Sequence, residues 1–261
     1  MNGTRSNLGI DGRRLSYLDS GGPGHPLLAL HGHLSEADAW SDLAEALAPD
    51  WRVITPDQRG HGDSDRASSY TRDDYVADAI ALLDHLKIDQ AVTLGHSGGA
   101  ITAFQIAARH PTRVTAIINV EGPVCDLDDG PSALSFVRSM PYTAPDRQAL
   151  LTAIGPLAPI LGDKLRQTPT GAWRLPFHPE DTITSEQGTH GDHWPDWTST
   201  TCPALFVLAT HSQVITQEQG RQIIASRPNT HVAELDGDHF AHATNPEAFT
   251  TAVKTFLATL H

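Results

Sequence analysis

The sequence predicts an α/β fold: a mostly parallel sheet with helices on both faces, interrupted by one insertion. Three observations predict it. Short apolar runs, such as Leu27-Leu28-Ala29-Leu30 and Ala204-Leu205-Phe206-Val207-Leu208, alternate with helical periodicities. A Gly95-His96-Ser97-Gly98-Gly99 turn joins one apolar run to a small-residue helix. From about Pro123 to Thr201 the alternation stops, and Pro, Asp and Thr accumulate.

Taken in order, residues 15–19 alternate like an edge strand and end in the turn Ser20-Gly21-Gly22-Pro23-Gly24. Residues 25–30 read as a buried strand ending at His31-Gly32-His33. A helix is expected over 37–47, apolar at Trp40, Leu43, Ala44 and Leu47. Residues 52–56 form the next strand, followed by the loop Asp57-Gln58-Arg59-Gly60-His61-Gly62-Asp63-Ser64. A helix follows over 71–86, with Thr71 and Asp74 placed to form a capping box. Strands are expected over 91–94 and 114–120. The segment 123–201 reads as a lid with short helices such as 147–154, inserted into a core domain of 1–122 and 202–261. Alternation resumes with a strand at 204–208, a helix at 217–225, a strand at 231–235 and a last helix at 246–260.

Bulk properties narrow the function classes. A chain of 261 residues is long enough to bury a sizeable core. Its net charge of −13 disfavours nucleic acid and anionic membranes as partners. A small-molecule substrate and a monomer or homodimer are expected instead. Residues 1–7 lack an apolar core, and no run approaches membrane-span length, so the expected location is cytoplasmic. Cys125 and Cys202 do not make a disulfide scaffold. His190-Gly191-Asp192-His193 has no companion cluster, so no metal site is expected. No phosphate-cradling loop with Lys-Ser or Lys-Thr occurs.

The chemistry centres on the serine turn. A G-x-S-x-G turn between strand and helix is tight and strained, and it lifts the serine oxygen above the sheet. Ser97 is therefore the candidate nucleophile, and it needs an adjacent base. His239, after an apolar strand and the turn Asp236-Gly237-Asp238, is the candidate base. His242 lies nearby but lacks that preceding turn.

Together these segments resemble the α/β-hydrolase family, in its serine hydrolase branch. The resemblance rests on His31-Gly32, Arg59-Gly60-His61-Gly62, the turn around Ser97, and Gly237-Asp238-His239, and it covers the chain outside the lid. It implies an eight-stranded sheet. It also implies an oxyanion hole built from the backbone N–H groups of His33 and Gly98, and no cofactor. The His33 side chain could face substrate or solvent, and His31 is expected to hold the loop. Most of the family carries its acid where Ser212 stands here, and a hydroxyl cannot stabilise an imidazolium as a carboxylate does. The other family position is matched by Glu121, as in haloalkane dehalogenases and lactone hydrolases similar to zearalenone hydrolase. Asp126 and Glu218 stay open as alternatives.

The resemblance implies a hydrolase of small to medium apolar esters or lactones acting through an acyl-enzyme. Lid aromatics suggest an apolar pocket, with Trp173, Trp194, Phe136, Met140 and Tyr142 as candidate substrate-binding residues. Trp197 and Phe177 share that segment, and any of these rings could equally glue the lid to the core. A serine at the turn argues against haloalkane dehalogenase and epoxide hydrolase chemistry, which needs a carboxylate there. Alternatives on the same fold are a cofactor-free dioxygenase of the quinolone type and a carbon–carbon bond hydrolase or peptidase. A non-catalytic binding member is a further one, disfavoured by the intact Ser and His.

Overall fold

A computed structural model describes residues 3–128 and 130–260. Eight strands form one sheet: β1 Thr4–Ile10, β2 Arg13–Asp19, β3 His25–Leu30, β4 Trp51–Pro56, β5 Ala91–His96, β6 Val114–Val120, β7 Ala204–Ala209 and β8 Thr230–Leu235. Their spatial order is β1-β2-β4-β3-β5-β6-β7-β8. The six strands from β4 to β8 run parallel, and β2 joins β4 antiparallel, with Tyr17 opposite Pro56. This is the α/β-hydrolase architecture.

The central parallel strands β5 and β7 are buried on both faces, which is why they read as apolar runs, whereas the edge strand β8 is largely exposed. In β3, Leu28 and Leu30 enter one core layer while Leu27 and Ala29 enter the other. The first layer packs under helices α2 (Arg72–His85) and α3 (Gly98–Arg109) through Leu82, Leu83, Ile101 and Phe104. The second packs under α1 (Ser41–Leu47) through Leu43 and Leu47, and under the C-terminal helix Pro246–Leu257 through Phe249, Val253 and Phe256.

The edge hairpin extends further than the sequence shows. Residues 4–10 form a full strand in register with β2, Thr4 opposite Asp19. Its side chains alternate between exposed and partly buried, so backbone pairing holds it together with Leu8 and Ile10 packed on the main core. Thr4–Asn7 of the N-terminal segment thus belong to β1, and Met1 and Asn2 lie outside the described residues. The expected helix at 37–47 is a 3₁₀ turn, Ala37–Trp40, running into α1. The last helix likewise ends at Leu257 and tightens into a 3₁₀ turn. The Thr71–Asp74 capping box at the start of α2 is present.

Between β6 and β7 the chain builds a subdomain with its own core of Val137, Leu150, Ile154, Leu175, Phe177 and Ile183. It contains α4 (Arg147–Ile154), α5 (Pro179–Gln187), α6 (Trp194–Ser199) and several two-residue strands. A second group of contacts ties it to the sheet domain. Arg166 reaches Glu36 and Asp63, each at 2.6 Å, and Arg66 of the core reaches Asp181 at 2.6 Å. Trp197 is fully buried in the main core, where its Nε1–H donates to the Ile223 carbonyl at 3.1 Å.

Candidate active site

The site forms where β5, β6 and β7 end. Ser97 follows β5 with φ 53° and ψ −124°, a conformation costly for any residue with a Cβ. Glycines make the turn possible. A Cβ on Gly95 would strike the Gly99 carbonyl, and one on Gly99 would strike the Leu30 and His31 carbonyls. Strand and helix therefore meet backbone to backbone, with Ser97 at the apex. Its N–H donates to the Val120 carbonyl at 3.0 Å, which ties the turn to the end of β6.

Glu121 stands one residue beyond β6, only 2% exposed, with φ 52°. Asn119 clamps this bend by bonding both the N–H and the carbonyl of Gly122 at 2.8 and 3.1 Å. The carboxylate is fully engaged. Oε1 accepts from the Ala209 N–H at 2.6 Å. Oε2 accepts from Ser212 Oγ at 2.5 Å and faces His239 Nδ1 at 3.2 Å. A carboxylate oxygen can only accept, so Nδ1 carries the proton and Nε2 is left as the lone-pair nitrogen. Ser97 Oγ makes no hydrogen bond among the described residues, and catalytic contacts of this kind often tighten only with substrate bound.

Three further histidines crowd this corner. His96 Nε2–H donates to the His239 carbonyl at 3.0 Å, and the two rings lie 4.7 Å apart. His242 sits 4.1 Å from His96 on its other side. Burial pushes His96 well below the usual imidazole range and His242 down to about 4. His242 is thus neutral and structural in position, stacked near Trp40. His31 accepts from the Gln58 N–H at 3.0 Å and bonds the Gly32 carbonyl at 2.7 Å, holding the loop.

His33 and Gly98 flank Ser97. Their backbone N–H groups have no protein partner among the described residues. The His33 ring lies against Gly98, where an added Cβ would meet Cε1 at 3.0 Å. The ring faces neither open pocket nor solvent alone: Nε2 lies 2.9 Å from Ser185 Oγ on α5, and Ser185 in turn lies 2.5 Å from the Tyr75 hydroxyl. The inserted subdomain thus touches the loop that carries the candidate oxyanion donor. Nothing in the sequence pattern marks Tyr75 or Ser185, because their partnership exists only through tertiary contact.

The other candidates fall in three places. Met140, Tyr142 and Trp173 pack onto the core of the inserted subdomain. Trp194 packs on the main core and lines a 370 Å³ cavity with Val124, Leu127 and Ile215. Phe136 is about half exposed. Of the alternative acids, Glu218 pairs with Arg221 on the surface, and Asp126 lies in a two-residue strand. Cys125 and Cys202 are free thiols. Among the described residues no group of three His, Cys, Asp or Glu could hold a metal ion, and no helix is long and apolar enough to cross a membrane.

Comparison with known proteins agrees with this fold. The family model for the alpha/beta hydrolase fold matches residues 25–246, and the chain belongs to that family. Among curated relatives, 2-hydroxymuconate semialdehyde hydrolase of a Pseudomonas species is 39% identical over 41% of this chain and 39% of its own length. The first curated relatives are matched over less than half their length. The 2-(acetamidomethylene)succinate hydrolase of Mesorhizobium japonicum is 25% identical over 90% of this chain and 89% of its own. Among solved structures, E-2-(acetamidomethylene)succinate hydrolase superposes with a TM-score of 0.82 at 22% identity, covering 98% of this chain and 99% of that one.

Proposed function

We propose that this chain is a serine hydrolase that cleaves small to medium apolar esters or lactones. The observation that carries the reading is the contact of Glu121 Oε2 with His239 Nδ1 beside the strained Ser97 turn. In this reading His239 Nε2 takes the Ser97 proton as Oγ attacks the carbonyl carbon. Glu121 fixes the tautomer and stabilises the imidazolium. The N–H groups of His33 and Gly98 receive the developing oxyanion. His239 returns its proton to the departing alcohol oxygen. Water, deprotonated by His239, then releases the acid and restores Ser97. The carboxylate-nucleophile chemistry of epoxide hydrolases and dehalogenases has no residue to run on at this apex, although proteins with those names are among the relatives.

A second substrate class is favoured by one comparison. The relative aligned along most of its length is named for an acetamido dicarboxylate, so an acidic amide belongs beside the esters in any screen.

The test is labelling with a fluorophosphonate, followed by turnover of a panel of p-nitrophenyl esters, aromatic lactones and acidic amides. Wild type is expected to label and turn over. Ser97→Ala is expected to lose both, and Glu121→Gln to lose 10²-fold or more in kcat, on the order seen when a triad acid is neutralised. A wild type that neither labels nor turns over any member sinks the reading, and oxygen uptake then tests the dioxygenase alternative.

A further inference from the structure

Among the described residues, Arg72 is the one buried cation of the site region that no carboxylate neutralises. It is 8% exposed, at the first position of α2, where a positive charge opposes the helix dipole. Apart from Arg227, which caps the Cys202 carbonyl at 2.5 Å, every other arginine pairs with an Asp or Glu. Arg72 instead lies 4.3 Å over the Tyr75 ring, and its Nη1 donates to the Gly98 carbonyl at 3.2 Å. Its Nε is buried without a protein partner. Burial lowers its pKa to about 10, so it stays charged at neutral pH.

No ligand anion fits against it from the protein side. The cavity it shares with His33, Gln58, His61, Gly98 and Gly99 measures about 10 Å³. That is room for a single water at most. A buried, uncompensated charge is costly in the resting protein and acts strongly at short range. The negative charge that would compensate it appears only during reaction, on the oxygen held by the Gly98 and His33 N–H groups.

Resting on the hydrolase reading above, we propose that Arg72 is an electrostatic positioning residue. From behind the first residue of α3, its charge stabilises the oxyanion and its hydrogen bond holds the Gly98 peptide. Because that charge acts on the tetrahedral state more than on bound substrate, its removal reads in kcat rather than KM.

The experiment compares wild type, Arg72→Met and Arg72→Lys on the best ester of the panel and against phenylboronic acid. In the boronate adduct Ser97 Oγ bonds to boron, its proton passes to His239, and a borate anion occupies the oxyanion position. Arg72→Met is expected to lose about 10- to 100-fold in kcat with KM within about threefold, and to weaken boronate affinity by a similar factor. Arg72→Lys, which keeps the charge, is expected to recover most of both. A folded Arg72→Met enzyme with unchanged kcat and boronate affinity overturns the inference while leaving the hydrolase reading intact. Equal losses in Arg72→Met and Arg72→Lys also overturn it, because charge is then not the cause. If wild type fails to label with fluorophosphonate, both readings fall together.

Discussion

Ser212 donates a 2.5 Å hydrogen bond to the Glu121 oxygen that faces His239. Its own oxygen accepts from the N–H groups of Val214 and Ile215 at 3.1 and 3.0 Å. The Ser212 hydroxyl therefore acts as a donor to Glu121, the proposed acid. Losing one such bond to a charged acceptor is worth about 1.5–3 kcal/mol, so Ser212→Ala should lower kcat by at most about 10- to 150-fold. Ser212→Asp alone sets two carboxylates side by side, which forces one to hold a proton. In a Glu121→Gln background the same aspartate returns a charge within reach of His239. That double variant should regain activity above Glu121→Gln, measured as kcat on one ester. No regain would mean that the Ser212 position cannot orient His239. At this scale the sequence singled out Ser97, His239 and Glu121 as candidates through motifs of fixed chain order, and the fold sets Glu121 against His239 beside the Ser97 turn. It revealed nothing of Arg72, whose bond to Gly98 joins two helices that only the fold brings together.

The inserted subdomain is joined to the sheet domain by charge as much as by apolar contact. Arg166 bridges Glu36 and Asp63, and Lys164 adds Asp38 at 3.0 Å. Glu36 is 3% exposed, and burial raises its pKa against the pull of Arg166. It lies three residues beyond His33, on the loop that supplies an oxyanion donor. Arg166→Met leaves the buried Glu36 with Lys164 alone, 3.7 Å away, a change that costs up to about 3–5 kcal/mol. Chemical denaturation should show a loss of that order, and kcat should fall with it because the His33 loop loses its brace. A stability change under 1 kcal/mol would show that Glu36 takes up a proton at little cost. At the scale of elements, the central strands and α2 were legible because buried parallel strands are continuous apolar runs and the capping box is a local pattern. β1 was not, because only Leu8 and Ile10 of its seven residues are apolar side chains that reach the core, and its register with β2 completes it. The short strands of the insertion were invisible for the same reason: two residues carry no periodicity.

Across the whole molecule, buried histidines set the acid limit of stability. Burial depresses His31, His33, His61 and His96 below the ordinary imidazole value of 6.5, and His242 to about 4. In the unfolded chain each titrates near 6.5. Above that pH both states are neutral, and these groups add no pH dependence. Below it the unfolded chain binds protons that the folded chain refuses, so stability falls as pH falls. Each such histidine contributes a slope of about 1.4 kcal/mol per pH unit until its folded-state value is reached. The melting temperature should therefore be nearly flat from pH 8 to 7 and drop steeply between pH 6.5 and 5. That window lies above the normal carboxylate range, so the drop is assignable to histidine. Its clearest check is His242→Phe, which removes the nitrogen that stays without a partner in the core. The variant should melt with a shallower pH slope over that window. An identical slope in wild type and variant would remove His242 from the acid response and leave it to His31, His33, His61 and His96.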